Sequence, residues 1–263
     1  MDRSKSTPAR RGRSLRRMTG CATLAVGASL MGVSCSGGEP GDAAPAEAAE
    51  QYRPPEQIQG ATVVWSAEPG VYLQDEYGKL VRAAEEARFV ARYVGIENSY
   101  PGFAAALDPA SAGMITPLPD RQPVGTLRAH VLSITPTGAG FEAAVCTERS
   151  ELAEKWPDGR YHFTKTPEIE AVVRFARTAS PAEAIEPAAA DAAADSKQTS
   201  SQRQWQSPAT DLFTGSGWTV DFAADPAGTR ERCQAWGRSI QTERTDTDTS
   251  ATPPRVLPAL PGW

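Results

Sequence analysis

Residues 74–96 read QDEYGKLVRAAEEARFVARYVGI, and this stretch decides the fold. Its apolar residues recur at spacings of three and four, with charged residues between them, which predicts an amphipathic helix. The apolar set is Tyr77, Leu80, Val81, Ala84, Ala87, Val90, Ala91 and Val94. Tyr100-Pro101-Gly102 predicts the start of a second, short helix over 103–107. We expect residues 109–123 to be loop.

Four strand-like segments follow the helices: Val124–Ile134, Phe141–Thr147, Ile169–Arg177 and Trp218–Phe222. A Gly- and Pro-containing turn at 135–140 predicts that the first two form a hairpin. Residues 61–65 (ATVVW) are either a further short strand or a packing segment. This order is typical of the α+β class. We therefore predict a long N-terminal helix and a short second helix, packed on a curved, mainly antiparallel sheet of about four to five strands.

The N-terminal region has the pattern of an export signal. Residues 14–35 read SLRRMTGCATLAVGASLMGVSC, and seven basic side chains precede the uncharged run. The end of this run resembles the lipobox of bacterial lipoproteins, with Cys35 at the lipidated position and Gly32 where that motif prefers Leu. The resemblance implies a signal peptide over 1–34, acylation of Cys35 and anchoring to the outer face of the cell membrane.

Two other interpretations of this region remain open, namely a secretory signal cut near Ser34 and an uncleaved membrane helix. Arg16-Arg17 weakly resembles a twin-arginine export signal, but large apolar residues do not follow the pair, which favours the general secretory route. The few lysines and the many Arg, Ala, Pro and Gly residues resemble proteins of GC-rich actinobacteria.

Composition divides the rest of the chain. Residues 35–58 are rich in Gly, Pro, Ala and Glu, which predicts a disordered tether. Residues 59–245 form a single α+β domain, interrupted by an Ala- and Ser-rich insertion at 178–204 that we expect to be disordered. Residues 246–263 are a polar and then Pro-rich tail.

Removal of Cys21 with the signal and acylation of Cys35 leave Cys146 and Cys233. Two cysteines in an oxidising compartment favour one disulfide, and two separately buried thiols are the alternative.

The order of these elements resembles the nuclear transport factor two-like (ketosteroid-isomerase-like) cone fold found in many actinobacterial lipoproteins. The resemblance covers about residues 72–222, and four segments carry it: EEARFVARYVGIENS, TLRAHVLSI, FEAAVCTER and GSGWTVDF. It implies a curved sheet around the long helix and a conical pocket. The family includes isomerases, hydratases and many members without catalysis.

The residues contain no recognisable catalytic constellation. No P-loop, GxSxG, HExxH or Rossmann fingerprint occurs, and His130 and His162 have no neighbouring ligand set, so we predict no catalytic residue, cofactor or metal site. The formal net charge of −5 argues against nucleic-acid binding. Tyr77, Tyr93 and Tyr100 are either pocket residues or ordinary core residues. Trp156 and Trp205 either line a ligand or partner surface or cover the core.

These observations favour a non-catalytic envelope lipoprotein that binds a small apolar ligand or a protein partner. An isomerase- or hydratase-like enzyme of the same fold is the second hypothesis. An accessory subunit of an envelope complex is the third. A buried Asp or Glu that faces a Tyr across an apolar cavity would favour the enzyme.

Overall fold

The structure is a computed structural model that describes residues 52–163, 168–177, 203–224, 228–240 and 248–263. These residues belong to one unit, Ala49–Trp263. The signal peptide, Cys35, most of the tether and nearly all of the 178–204 insertion lie outside the described residues.

The helix predicted over 74–96 is present as α1 (Glu76–Val94). Asp75 begins it, because its carboxylate accepts a hydrogen bond of 2.6 Å from the Gly78 amide. Gly95 ends it at a φ of 86°, a backbone conformation that favours glycine. The helix is buried over most of its circumference, including Arg82, Glu85 and Glu86. These three charged residues therefore lie inside the fold, whereas Glu76 and Lys79 are exposed.

The sheet contains eight strands among the described residues, in the order β7-β6-β3-β2-β4-β5-β8, with β1 also paired to β2. The strands are β1 (Ala61–Ala67), β2 (Gln122–Thr137), β3 (Gly140–Glu148), β4 (Leu152–Lys155), β5 (Tyr161–Phe163), β6 (Glu168–Arg177), β7 (Trp218–Ala224) and β8 (Thr249–Ser250). All pairs are antiparallel except β1–β2. The sheet is open, because its end strands β7 and β8 do not pair with each other.

The predicted α+β class is confirmed, but two finer expectations are wrong. The long helix is not the N-terminal element of the fold, because a 3₁₀ turn (Glu56–Ile58) and β1 precede it. The sheet also has eight strands instead of four to five. β4, β5 and β8 have only four, three and two residues, too few to produce a periodic signal in the sequence.

The β2–β3 hairpin is confirmed, with a register that runs from Thr137↔Gly140 to Arg128↔Glu148. Phe141 on β3 is fully buried and stacks on Phe175 of β6 with ring centroids 4.4 Å apart. Tyr77 of α1 packs on the same ring at 4.4 Å. This aromatic contact joins the start of α1 to the sheet.

Three shorter helices complete the described part. The second predicted helix is α2 (Phe103–Ala106), and it is followed by α3 (Pro109–Met114) within a stretch that we expected to be loop. Asp108 begins α3 by accepting a hydrogen bond from the Ala110 amide at 2.8 Å. α4 (Arg230–Ile240) was not predicted, because it is largely polar and buries only Cys233 and Gly237.

Cys146 and Cys233 are joined by a disulfide, as predicted. The bond links the middle of β3 to α4, and both residues are fully buried. Leu132 and Ala144 complete a small apolar cluster around it.

Both ends of the described region pack on the domain. Ile58, which we assigned to the tether, is fully buried, and the side-chain amide of Gln57 donates to three backbone carbonyls. Gln57 and Ile58 therefore pack on the domain. In the segment set apart as a tail, Leu260 exchanges backbone hydrogen bonds with β1 at Val63 and Trp65.

Candidate functional site

A cavity of about 120 Å³ lies between α1 and the sheet. α1 supplies Glu85, Phe89 and Arg92, whose spacing of three to four residues places them on one helix face. The sheet supplies alternate residues of two adjacent strands, which point to the same side of a pleat. These are Leu127 and Ala129 of β2, Thr147 of β3, and Arg149 just after β3.

α3 and β7 close the cavity on its other side. The Ser111 hydroxyl donates to Asp221 at 3.0 Å and accepts from the Phe222 amide at 2.7 Å, which fixes α3 against β7. Met114, which is 56% exposed, and Thr116, which is exposed, both line the cavity and therefore lie at its mouth. The cavity is thus lined by both apolar and charged side chains and opens towards solvent.

Three arginines converge on the cavity, and they differ in how they are neutralised. Arg88 donates twice to Glu85 Oε2, at 2.6 and 3.1 Å, and its guanidinium lies 4.7 Å from the Phe222 ring centroid. Arg92 has only a distant carboxylate, with Nη2 3.9 Å from Glu154 Oε1. Within the described residues, Arg149 has no carboxylate in salt-bridge range. Burial and then the proximity of Arg88 and Arg92 lower the pKa of Arg149 to about 10, against the opposing effect of Tyr93 and Glu85.

Several polar atoms at this cavity are buried without a hydrogen-bond partner in the structure. They are the Thr147 hydroxyl, Glu85 Oε1, and the Nε atoms of Arg92 and Arg149. Thr147 is only 4% exposed, so its hydroxyl meets solvent only through the cavity. Buried polar groups in folded proteins are nearly always satisfied, and a cluster of exceptions indicates a missing partner.

Glu86, one residue further along α1, is held differently. Its Oε1 accepts from Trp65 Nε1 at 2.8 Å. Its Oε2 accepts from the Tyr100 hydroxyl at 2.8 Å and from Trp263 Nε1 at 2.7 Å. Burial raises the pKa of Glu86, while Arg82 and the three donors act in the opposite direction.

Arg82 completes this network one helical turn before Glu86. It is fully buried, donates to the carbonyls of Pro261 and Gly262, and lies 4.0 Å above the Trp263 ring. The network therefore joins α1, β1 and residues 261–263. Although Glu86 reaches the cavity wall, Tyr100 does not line the cavity, so no carboxylate faces a tyrosine across it.

The structure assigns the histidines to packing contacts. His130 is 8% exposed, its Nδ1 lies 2.8 Å from the Ser66 hydroxyl, and its ring stacks on Trp236 of α4. His162 stacks on Trp156 with centroids 4.0 Å apart. Neither histidine lines the cavity.

The tyrosines and tryptophans that we singled out mostly belong to the core. Tyr77 packs against the sheet, whereas Tyr93 and Tyr100 are buried. Trp205 is 4% exposed and stacks on Phe89 at 4.8 Å, so it covers the core and is not a surface residue. Trp156 is half-buried, and the guanidinium of Arg121 lies over its ring, 4.0 Å from the ring centroid.

The sequence analysis missed the cavity residues because charge on a helix usually indicates a solvated face. Glu85, Arg88 and Arg92 were interpreted in that way, yet all three line the cavity. The spacing of three and four residues between them was the available signal. Thr147 lies near the end of a strand that was correctly predicted, and Arg149 follows Thr147 by two residues.

Within the described residues, no group of three or more His, Cys, Asp or Glu side chains is placed to hold a metal ion. No helix in that part of the chain has both the length and the apolar character needed to cross a membrane. Comparison of the chain with protein-family models, with curated proteins and with solved structures found no match.

Proposed function

We propose that this protein is a membrane-anchored envelope lipoprotein, acylated at Cys35, whose cone-like α+β domain binds a small and mainly apolar ligand. The single observation that carries the binding role is the cavity between α1 and the sheet. Its lining combines apolar side chains with a few convergent polar groups that lack partners, which is the usual composition of a small-molecule site.

The size of the cavity limits the ligand. A cavity of about 120 Å³ is slightly smaller than the roughly 150 Å³ apolar cavity that accommodates a benzene ring in another protein. A single ring or a short branched chain suits it, with any further atoms directed towards Met114 and Thr116 at the mouth.

Binding is tested by blocking the mouth in the full-length protein. Thr116→Trp introduces a large ring at the opening, and ligand-observed NMR with a library of one-ring fragments reports occupancy. Thr137→Trp is the matched control, because Thr137 is exposed at the end of β2 and does not line the cavity. We expect fragments to bind the native protein and the control, but not Thr116→Trp. Equal binding to all three proteins, or to none, would refute the binding role.

The anchor has a separate test. Cys35→Ala should abolish incorporation of labelled palmitate and release the protein from the membrane fraction, because the acyl chains supply the membrane affinity. Cys21→Ala is the control and should keep both the label and the membrane location. Undiminished label in Cys35→Ala would contradict the lipidation.

One observation favours an isomerase- or hydratase-like enzyme as the second candidate. Glu85 lines the cavity, is 5% exposed and has an unpaired Oε1, which is the position of a possible general base. Such a base would exchange the α-protons of cyclohexanone in D₂O, and Glu85→Gln would stop the exchange. Absence of exchange with a bound ketone would exclude this general-base role for Glu85.

A further inference from the structure

The cavity contains more positive charge than its own carboxylates neutralise. Glu85 is paired with Arg88 through Oε2, and Glu86 accepts three hydrogen bonds from neutral donors beside Arg82. Neither carboxylate is in salt-bridge range of Arg92 or Arg149. The part of the cavity next to β3 is therefore cationic.

Arg149 is the centre of this cationic region. Its Nε is buried and unpaired, and Arg88 and Arg92, the charges that lower its pKa, have the same sign. A guanidinium in such a place is costly unless an anion accompanies it. Among the described residues no carboxylate lies in salt-bridge range of Arg149, and Glu85, which favours its charged form, is already paired with Arg88. A bound anion would therefore stabilise this guanidinium.

Thr147 lies two residues before Arg149, and both side chains line the cavity. Its hydroxyl is buried, unpaired and part of the cavity wall. A hydroxyl beside a guanidinium makes a pair of donors that one carboxylate can accept together. The facing apolar wall consists of Leu127, Phe89 and Phe222.

We propose that the ligand is a small amphipathic carboxylate, which places its charged group on Arg149 and Thr147 and its apolar body against Leu127, Phe89 and Phe222. This assignment rests on the proposed binding function and adds the chemical class of the ligand. Arg92 also lines the cavity. Its positive charge adds to the electrostatic attraction for the ligand carboxylate, but it makes no bidentate contact of its own.

The test compares benzoate with its neutral isostere benzamide on the full-length protein, at constant ionic strength, by NMR titration. A charge-assisted hydrogen bond in a partly desolvated site predicts that benzoate binds at least about tenfold more tightly than benzamide. Acetate carries the charge without the ring, so we expect it to bind at least about tenfold more weakly than benzoate, because the apolar contacts are lost.

Two variants locate the carboxylate. Arg149→Met keeps an unbranched apolar stem and removes the charge, and it should remove the preference for benzoate while benzamide binding stays within about twofold. Thr147→Val is nearly isosteric and removes a hydroxyl that has no partner, so it should fold normally and weaken benzoate binding severalfold. Arg160→Met is the control, because Arg160 is exposed, donates to the Thr249 hydroxyl of β8 and does not line the cavity.

The outcomes separate the two levels of the proposal. If neither benzoate nor benzamide binds and the fragment library also fails, the binding function itself is refuted. Equal affinities for benzoate and benzamide would refute the carboxylate assignment and leave the binding function intact. Benzoate binding that is unchanged in both Arg149→Met and Thr147→Val would also overturn the assignment. If Arg149→Met does not fold, Thr147→Val alone decides.

Discussion

Removal of the Cys146–Cys233 disulfide is the perturbation whose size follows most directly from the fold. The two cysteines are 87 residues apart in the chain. Closure of a loop of that length removes unfolded-state entropy worth about 4.6 kcal/mol at 25 °C. For a Cys146→Ala/Cys233→Ala variant in which α4 stays packed on the sheet, this entropy predicts a loss of about 4.6 kcal/mol in the free energy of unfolding.

The packing of α4 indicates that it does not stay docked. This helix has 11 residues but fully buries only Cys233 and Gly237, with Trp236 partly covering His130. Burial of one or two side chains contributes about 1.5–3 kcal/mol each, whereas ordering each backbone residue costs about 1–2 kcal/mol. The bond to β3 therefore holds the helix in place. Cys233 lies nine residues after the end of β7. If α4 detaches while the sheet stays folded, the disulfide closes a loop of about nine residues, and loss of the bond lowers the local stability of α4 by about 2.6 kcal/mol.

Two measurements check this reasoning on the full-length protein. Urea denaturation gives the global loss, and hydrogen exchange with mass spectrometry reports α4 and β3 separately. We expect α4 amides to exchange about a hundredfold faster in the double-alanine variant, while β3 remains the better protected element. Added reductant should reproduce the change in the native protein and have no effect on the variant. Equal protection of α4 and β3 in the variant would refute the local account, and a global loss below about 1 kcal/mol would refute the entropy estimate.

Three further predictions concern the core. Trp65→Phe removes the only donor that the described residues give to Glu86 Oε1, so it should cost about 1–3 kcal/mol in urea denaturation, and a cost below about 0.5 kcal/mol would contradict the role of this hydrogen bond. Phe141→Ala should cost about 3–5 kcal/mol, because the fully buried ring contacts both α1 and β6, and a cost below 1 kcal/mol would contradict that packing. Burial lowers the pKa of His130 below 6.5 despite its contact with Glu68. The unfolded state therefore binds the proton more readily than the folded state, and the free energy of unfolding should fall as the pH drops below about 6.5. His130→Gln should flatten that part of the pH–stability profile, and an unchanged slope would assign it to other groups.

Long periodic segments allowed most of the fold to be predicted. α1 and the β2–β3 hairpin have repeated apolar spacing over many residues, and both were located within a few residues of their observed ends. The disulfide followed from the number of cysteines and the expected compartment. The elements that were missed are short or polar. β4, β5 and β8 have at most four residues, and α4 has almost no apolar face.

The location of buried charge could not be predicted, because it depends on contacts between distant segments. Arg82 and Glu86 are four residues apart on α1 and resemble an ordinary exposed ion pair in the sequence. They are buried because residues 261–263 fold back over them, and Trp263 lies 177 residues away from Glu86. No local pattern contains that information. The same holds for Arg149, which approaches Arg88 and Arg92 only after β3 is placed against α1.

Two neighbouring carboxylates on α1 show why the cavity is better explained by binding than by stability. Glu86 has donors on both oxygens, as expected of a buried charge that the fold needs. Glu85 has a donor on one oxygen only, and its free oxygen lies in a cavity whose wall also contains the unpaired hydroxyl of Thr147 and the unpaired Nε of Arg149. A fold under selection for stability alone would gain by replacing such groups with apolar ones, because each unsatisfied buried group costs about 1–3 kcal/mol. Unpaired buried atoms also occur elsewhere in the described residues, on Arg82 for example, but those of Glu85, Thr147 and Arg149 line a space that a small molecule can enter and complete.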